Sequence, residues 1–158
     1  MAGYPVAALR DMIGTDVGVS AWVTVGQDMI DRFADLTNDH QFIHVDPVLA
    51  RQTPAGTTIA HGFLTLSLLG GFVQEIDFGV EGASMGYNYG FDKVRFLAPV
   101  PSGSRVRARF RLKDFSLRRP GEWMSTLEAT IEIEGAGKPA LVAEWLTLTM
   151  VPETEPRS

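Results

Sequence analysis

Strict alternation of apolar and polar residues marks the second half of this chain and predicts β-strands there. Four strand segments are predicted, at residues 85–97, 104–117, 123–134 and 141–151. The second is the clearest, because one of its faces carries Val106, Ala108, Phe110 and Leu112. Successive strand residues point to opposite faces, so the alternation predicts a sheet with one buried side and one polar side.

The first half of the chain instead shows helical spacing and loop signals. A short strand within residues 17–25 is predicted to lead into an amphipathic helix that is capped near Thr24. Asp46 and Pro47 have the sequence of an N-cap and a first helical residue, which predicts a short helix to about Gln52.

A dense apolar run follows at residues 62–73 and predicts a helix that is buried nearly all round. One apolar helix followed by an antiparallel meander predicts an α+β fold in which the sheet wraps around the helix. We expect a single domain over residues 1–158, with a core of about 14–151 and frayed ends at 1–4 and 152–158.

Composition narrows the possible functions. The 158 residues include no cysteine, which excludes disulfides, thiolate nucleophiles and cysteine metal sites and fits a cytoplasmic protein. A net charge of −5 argues against nucleic acid as a partner. The N-terminus has no secretion-signal pattern, and the 12 apolar residues at 62–73 fall short of the roughly 20 that a membrane-spanning helix needs.

Candidate chemistry concentrates in residues 38–46, which hold two of the three histidines. A plain polar loop with capping aspartates is one interpretation, and it is favoured for Asp46. Metal binding by His40 and His44 would need a helix there, whereas the stretch has a loop sequence and no glutamate beside the first histidine. A nucleophilic triad is disfavoured, because there is no cysteine and no G-x-S-x-G elbow.

The remaining interpretation is acid–base chemistry on water. Asp39 and His44 lie five residues apart across a predicted turn, so a carboxylate and an imidazole could converge on one water molecule. Histidine can both give and accept a proton near neutral pH, while aspartate can accept a proton or orient the water. This chemistry requires no metal and no cofactor.

These residues resemble a known family. The stretches FADLTNDHQFIHVDP at 33–47 and IAHGF at 59–63 resemble the hydratase-2 motif of the MaoC-like dehydratases, which are (R)-specific enoyl-CoA hydratases. Residues 88–103 are similar to the branch that includes the NodN-like proteins and single-hot-dog actinobacterial hydratases, and the similarity spans about 14–151.

The resemblance implies a hot-dog fold, a long central helix wrapped by an antiparallel β-sheet, in a homodimer without a cofactor. It implies that Asp39 and His44 are catalytic, and that the N–H of Gly62 at the helix start receives the negative charge on the thioester oxygen. The implied reaction is the reversible syn hydration of a trans-2-enoyl-CoA to the (R)-3-hydroxyacyl-CoA.

Other positions follow the family pattern less closely. His61, Asn38 and Phe63 are assigned to substrate binding, although His61 could instead brace the loop. Asn38 stands where many relatives carry glycine, and Gly70 stands where some carry a serine that assists the catalytic pair. The alternatives are a dehydratase of acyl-carrier-protein thioesters and a hot-dog protein that binds acyl thioesters with weak or no catalysis. A thioesterase is disfavoured, because the helix at 62–74 contains no acid.

Five cations alternate along the second predicted strand and therefore share one face: Arg105, Arg107, Arg109, Arg111 and Lys113. A solvated outer face of the sheet is the ordinary interpretation. A partial docking surface for the phosphates of coenzyme A is the sharper one, since arginine binds phosphate through paired donors.

Overall fold

Six strands form one antiparallel sheet in the computed structural model, which describes residues 3–152. The strands are β1 (Asp16–Val19), β2 (Val23–Val25), β3 (Met85–Phe96), β4 (Ser104–Arg119), β5 (Glu122–Ile133) and β6 (Leu141–Met150). The helices are α1 (Val6–Asp11), α2 (Gln27–Thr37), α3 (Phe42–Val45), α4 (Pro47–Ala50), α5 (Gly62–Ser67) and α6 (Leu69–Phe72). A 3-10 turn at Val73–Glu75 continues α6, and we call α5, α6 and this turn the central helix.

The strand order is β1-β4-β5-β6-β3, and β2 also pairs with β4. Hairpins join β4 to β5 and β5 to β6, with Gly121 and Gly135 at positive φ in the two turns. The predicted meander of the four long strands is therefore wrong in one respect. Strand β3 pairs with β6 at the sheet edge instead of with β4, the next strand along the chain. Two register shifts interrupt that β3–β6 pairing, between Asn88 and Gly90 and between Phe91 and Lys93.

Alternation along β4 places its apolar side chains in the core. Four of them have no exposed surface, as predicted: Val106, Ala108, Phe110 and Leu112. They share one hydrophobic cluster with Leu64, Leu69 and Phe72 of the central helix. Each fully buried side chain of this size contributes about 1.5–3 kcal/mol, so the contact between sheet and helix stabilises the predicted α+β arrangement.

The central helix differs from its prediction in two ways. A turn at Leu68 separates α5 from α6, and one flank of the helix is exposed. Phe63 is 68% exposed, so the prediction of burial nearly all round is wrong. The reason is that the sheet of one chain covers only one side of the helix. Between residues 3 and 152, no helix is both long enough and apolar enough to cross a membrane.

The first half of the chain is confirmed in some elements and corrected in others. The strand expected within 17–25 is two short strands, and Thr24 lies in β2 opposite Arg105 instead of capping a helix. Helix α2 begins two residues after Val25, with Gly26 at its N-cap. Asp46 is the predicted cap, since its Oδ1 accepts hydrogen bonds from the N–H groups of residues 48 and 49 at 2.9 and 3.0 Å.

The chain start is more ordered than expected. Helix α1 was not predicted, and the N–H of Tyr4 donates to the Gly79 carbonyl at 2.9 Å. The prediction of fraying is therefore wrong at Tyr4. Of the other residues expected to fray, 1–2 and 153–158 lie outside the described residues.

Candidate active site

His44 lies in a single helical turn, α3, although the sequence predicted irregular backbone there. Its side chain is buried, and Nδ1 lies 2.7 Å from the Ile59 carbonyl oxygen. A carbonyl oxygen only accepts hydrogen bonds, so Nδ1 carries the hydrogen and Nε2 holds the lone pair. The Ile59 N–H in turn donates to the Ile43 carbonyl at 3.0 Å, which fixes the acceptor segment beside α3.

Asp39 follows the end of α2, where Asn38 adopts a left-handed conformation with φ of 58°. Asparagine tolerates this conformation better than most residues other than glycine, which explains why either residue suits the position. The turn places the Asp39 backbone beside His61, whose Nε2–H donates to the Asp39 carbonyl at 2.9 Å. His61 is 2% exposed.

The structure brings Asp39, His44 and His61 together. One side-chain N or O atom from each lies within 4.8 Å of the others. The rings of His44 and His61 stack with centroids 3.8 Å apart, and Phe33 covers the His61 ring at 5.0 Å. The predicted pair of carboxylate and imidazole is therefore adjacent, with the Asp39 side chain exposed and the His44 side chain buried.

Metal binding does not suit either histidine set. His40 and His44 do not share a site, because His40 Nε2 pairs with Asp35 Oδ1 at 2.9 Å on the surface. Asp39, His44 and His61 have suitable donor atoms, but the two stacked rings are inclined by only 24°. Imidazole lone pairs lie in the ring plane, and planes so nearly parallel do not converge on one ion at bonding distance.

A cleft of about 360 Å³ lies beside His44. It is also lined by Gly62, Thr65 and Phe96. Gly62 is the first residue of α5, and a Cβ there would lie 3.1 Å from the Phe96 ring. A glycine at this position therefore lets an aromatic side chain lie close against the start of the helix.

None of the three residues assigned to substrate binding lines this cleft, and neither does Asp39, whereas His44 and Gly62 do. Asn38 is exposed at the C-cap of α2. Phe63 turns outward and meets the edge of the Phe96 ring at a centroid distance of 6.1 Å. Phe96 was not predicted, and neither were Gln27 and Thr58, which are hydrogen-bonded behind the site. Each is an ordinary strand, helix or loop residue in the sequence, so no local signal identifies them.

The five cations of β4 face away from the core, as the alternation predicts. Each has an acidic partner within 4.0 Å: Glu134 for Arg105, Glu132 for Arg107, Glu132 and Asp16 for Arg109, Asp16 and Glu128 for Arg111, and Glu144 for Lys113. A hydrogen bond from Arg107 holds the pKa of Glu132 below its ordinary value. This pattern favours a charge-paired outer face over a phosphate-docking surface.

An aromatic surface lies toward the start of β3, whereas the cleft residue Phe96 is at the end of that strand. We call Tyr87, Tyr89 and Phe91 of β3 the aromatic edge; they are 43%, 51% and 38% exposed. Beside it, a groove of about 690 Å³ runs between β3 and the exposed flank of the central helix, with Gly70 and Trp145 in its lining.

Comparison with known proteins identifies the family. Residues 9–133 match the family model described as MaoC like domain. The chain belongs to the MaoC-like family. The MaoC-like chain is 49% identical over 144 residues to Nodulation protein N of Rhizobium leguminosarum bv. viciae, covering 90% of this chain and 89% of that protein. It is 50% identical over 139 residues to 3-hydroxyacyl-thioester dehydratase Z of Mycobacterium tuberculosis, covering 88% and 91%.

Solved structures confirm the hot-dog fold. The MaoC-like chain superposes on the (R)-hydratase from A. caviae with a TM-score of 0.70 at 24% identity, covering 89% of this chain and 96% of that one. Relatives named as dehydratases support assignment to the hydro-lyase class.

Proposed function

We propose that this protein catalyses the (R)-specific, reversible hydration of trans-2-enoyl-CoA to (R)-3-hydroxyacyl-CoA. The observation that carries the proposal is the adjacency of Asp39 and a buried His44 whose Nε2 lone pair is free to act as a base. Support also comes from two matched proteins whose names state a 3-hydroxyacyl-thioester dehydratase and an (R)-hydratase.

In the proposed mechanism His44 moves the proton and Asp39 orients the water. The Asp39 carboxylate accepts one hydrogen bond from the water, and His44 Nε2 removes the other hydrogen as the water oxygen bonds to C3. The electrons of the C2–C3 double bond move toward the thioester oxygen. The imidazolium then returns the proton to C2 from the same face, so the net change is addition of one water and both groups are regenerated.

Gly62 completes the proposed mechanism. The first N–H groups of a helix have no partner within it, so the Gly62 N–H is available to the thioester oxygen as negative charge develops. Gly62 and His44 line the same cleft, which supports this role. One such donor is typically worth roughly 3–4 kcal/mol of activation free energy.

His61 is proposed to brace the site instead of contacting substrate. Its Nε2–H is taken by the Asp39 carbonyl, and its Nδ1 is buried without a hydrogen bond to any described residue. Asn38 and Phe63 are proposed to contact substrate only where it leaves the cleft. An acyl-carrier-protein thioester would undergo the same chemistry. Gly70 has no side-chain hydroxyl, so this position gives the catalytic pair no assistance. Localisation in the cytoplasm stays a prediction.

The test is a spectrophotometric assay with crotonyl-CoA and longer trans-2-enoyl-CoAs, with chiral analysis of the product. We expect an (R)-product and a loss of about 10²–10⁴-fold in kcat for both Asp39→Asn and His44→Asn. His40→Asn is the matched control, because His40 pairs with Asp35 on the surface, and it should retain wild-type kcat. An (S)-product, or full activity of both Asp39→Asn and His44→Asn, would contradict the proposal.

We further propose that the protein is a homodimer that associates through the aromatic edge. Strand β3 is at the end of the sheet, and its apolar side chains continue the exposed flank of the central helix. An apolar edge strand of 12 residues is ordinarily covered by another chain. Light scattering should give a dimer for the wild type and a monomer for Phe91→Asp. The control Leu117→Asp, which changes an exposed residue near the end of β4, should stay dimeric.

A further inference from the structure

Gln27, the first residue of α2, makes three side-chain hydrogen bonds behind the candidate site. Its Nε2–H groups donate to the His44 backbone carbonyl at 2.7 Å and to Asp31 Oδ1 at 2.8 Å. Its Oε1 accepts the hydroxyl hydrogen of Thr58. Both donor hydrogens of the carboxamide and its acceptor oxygen are therefore engaged.

These three bonds fix which way the carboxamide faces. Asp31 and the His44 carbonyl can only accept hydrogen bonds, so the NH₂ group must face them. The oxygen is then left for Thr58, which is 2% exposed and has little access to water as an alternative partner. A reversed carboxamide would place oxygen against two acceptors, so the observed orientation is strongly preferred.

The bonds of Gln27 reach both sides of the His44 imidazole. One bond holds the backbone of His44, and another holds Thr58, whose neighbour Ile59 supplies the carbonyl that accepts His44 Nδ1–H at 2.7 Å. Together with the bond from the Ile59 N–H to the Ile43 carbonyl, the Gln27 side chain therefore helps to set the spacing between the imidazole and its acceptor. That spacing decides whether the ring hydrogen stays on Nδ1.

We propose that Gln27 is a positioning residue for His44, which keeps the hydrogen on Nδ1 and the lone pair on Nε2. This inference rests on the proposed function, in which Nε2 is the base. Gln27 is only half-buried, and α2 is anchored independently by Ile30 and Ala34, which have no exposed surface. Loss of the carboxamide should therefore disturb the imidazole more than the fold.

The test compares Gln27→Met, which keeps the length of the side chain without its hydrogen bonds, with the wild type. We expect kcat to fall about tenfold with KM within twofold, because one network that orients the base is lost. Asp31→Ala is the matched control, since it removes one bond of Gln27 and leaves the bonds to His44 and Thr58. Its kcat should stay within twofold of the wild type.

A readout independent of activity comes from ¹⁵N NMR of the imidazoles, which is practical because the chain has three histidines. Wild-type His44 should show the hydrogen on Nδ1, and Gln27→Met should show a mixture of tautomers, while His40 is unchanged. A structural role alone would lower Tm and leave the tautomer as it is. An unchanged tautomer with wild-type kcat would overturn the inference.

Thr58→Val provides a second route if Gln27→Met does not fold. It removes only the hydroxyl that Gln27 Oε1 accepts, and we expect the same tautomer shift in smaller measure. An unchanged His44 tautomer in Thr58→Val would count against the inference. If the tautomer shifts as expected but the wild type does not hydrate enoyl-CoA, the positioning role stands and the proposed function fails.

Discussion

Two polar regions of the molecule differ in what holds their side chains. At the start of the central helix, each of the two buried imidazoles gives a hydrogen to a backbone carbonyl. His44 donates to Ile59 and His61 donates to Asp39. A carbonyl fixed in the main chain has no substitute nearby, so each ring is held in one orientation.

On the outer face of β4, charged side chains hold one another. Arg107 and Arg109 share Glu132, while Arg109 and Arg111 share Asp16. Loss of one partner leaves another within reach, and water can replace either. Such exposed pairs contribute about 0–1 kcal/mol each.

A high density of polar residues does not by itself mark a functional site. Arg105–Lys113 holds more charge than the stretch around Asp39, yet its charges are mutually compensated. The site has few polar groups, and each of its two buried imidazoles makes a single ring hydrogen bond. Substitutions there should change activity more than stability, whereas substitutions on the outer face should change neither by much.

Among the substitutions that contrast these two regions, Gly62→Pro at the start of the central helix is expected to have the largest effect. Proline is tolerated at the first position of a helix, and His61 before it already has ψ of 138°, which proline requires. The change removes the N–H, so kcat for crotonyl-CoA should fall by about 10²–10³-fold.

Gly62→Ala is the control, because it adds the Cβ that meets Phe96 but keeps the N–H. Gly62→Ala should lose about tenfold at most, since the Phe96 ring is half-exposed and can shift. Equal losses in both variants would assign the effect to the displaced ring, and the oxyanion role would be wrong.

An intermediate effect, on stability, is expected from Glu122→Gln. The Glu122 side chain, in the β4–β5 hairpin, is only 1% exposed. Hydrogen bonds from Arg119 and Arg118 lower the pKa of its carboxyl group. A lowered folded-state pKa stabilises the protein above the ordinary value of 4.5, and this contribution is lost as pH falls through the folded-state value.

Thermal unfolding followed by circular dichroism should therefore give a Tm for Glu122→Gln that is about 5 °C below the wild type at neutral pH. The gap should narrow below about pH 4. Glu134→Gln, which removes an exposed partner of Arg105, should change Tm by about 1 °C or less. A pH-independent gap would mean that the carboxylate charge is not what stabilises the hairpin.

The smallest effect is expected from the double variant Arg107→Ser with Arg109→Ser. Because both guanidinium groups are paired with Glu132, we expect KM for crotonyl-CoA to stay within twofold and Tm to fall by only a few degrees. A severalfold rise in KM with unchanged kcat would show that this face contacts the phosphates of coenzyme A, and the outer face of β4 would then belong to the binding site.

Local sequence signals predicted what depends on neighbouring residues. The N-cap at Asp46 and the buried face of β4 need only a short stretch to specify them, and both are confirmed. The convergence of Asp39 and His44 was also predictable, because five residues across a turn keep the two side chains close.

Contacts between distant residues were not predictable in the same way. The pairing of β3 with β6 and the bond from Gln27 to Thr58 depend on how the whole sheet closes. The exposure of Phe63 was missed for a related reason, since hydrophobicity does not reveal which side of a helix one chain leaves uncovered. The cap predicted at Thr24 failed because pairing with β4 outweighed local helix propensity.

The irregular edge strand has a consequence for how copies of the protein can assemble. Its two register shifts interrupt the regular spacing of main-chain donors and acceptors along β3. A bulged strand bends and twists away from the flat template that successive molecules would need to stack without limit. Open-ended stacking of edge strands should therefore be disfavoured, and the protein should stay free of fibrils even though aromatic rings line its margin.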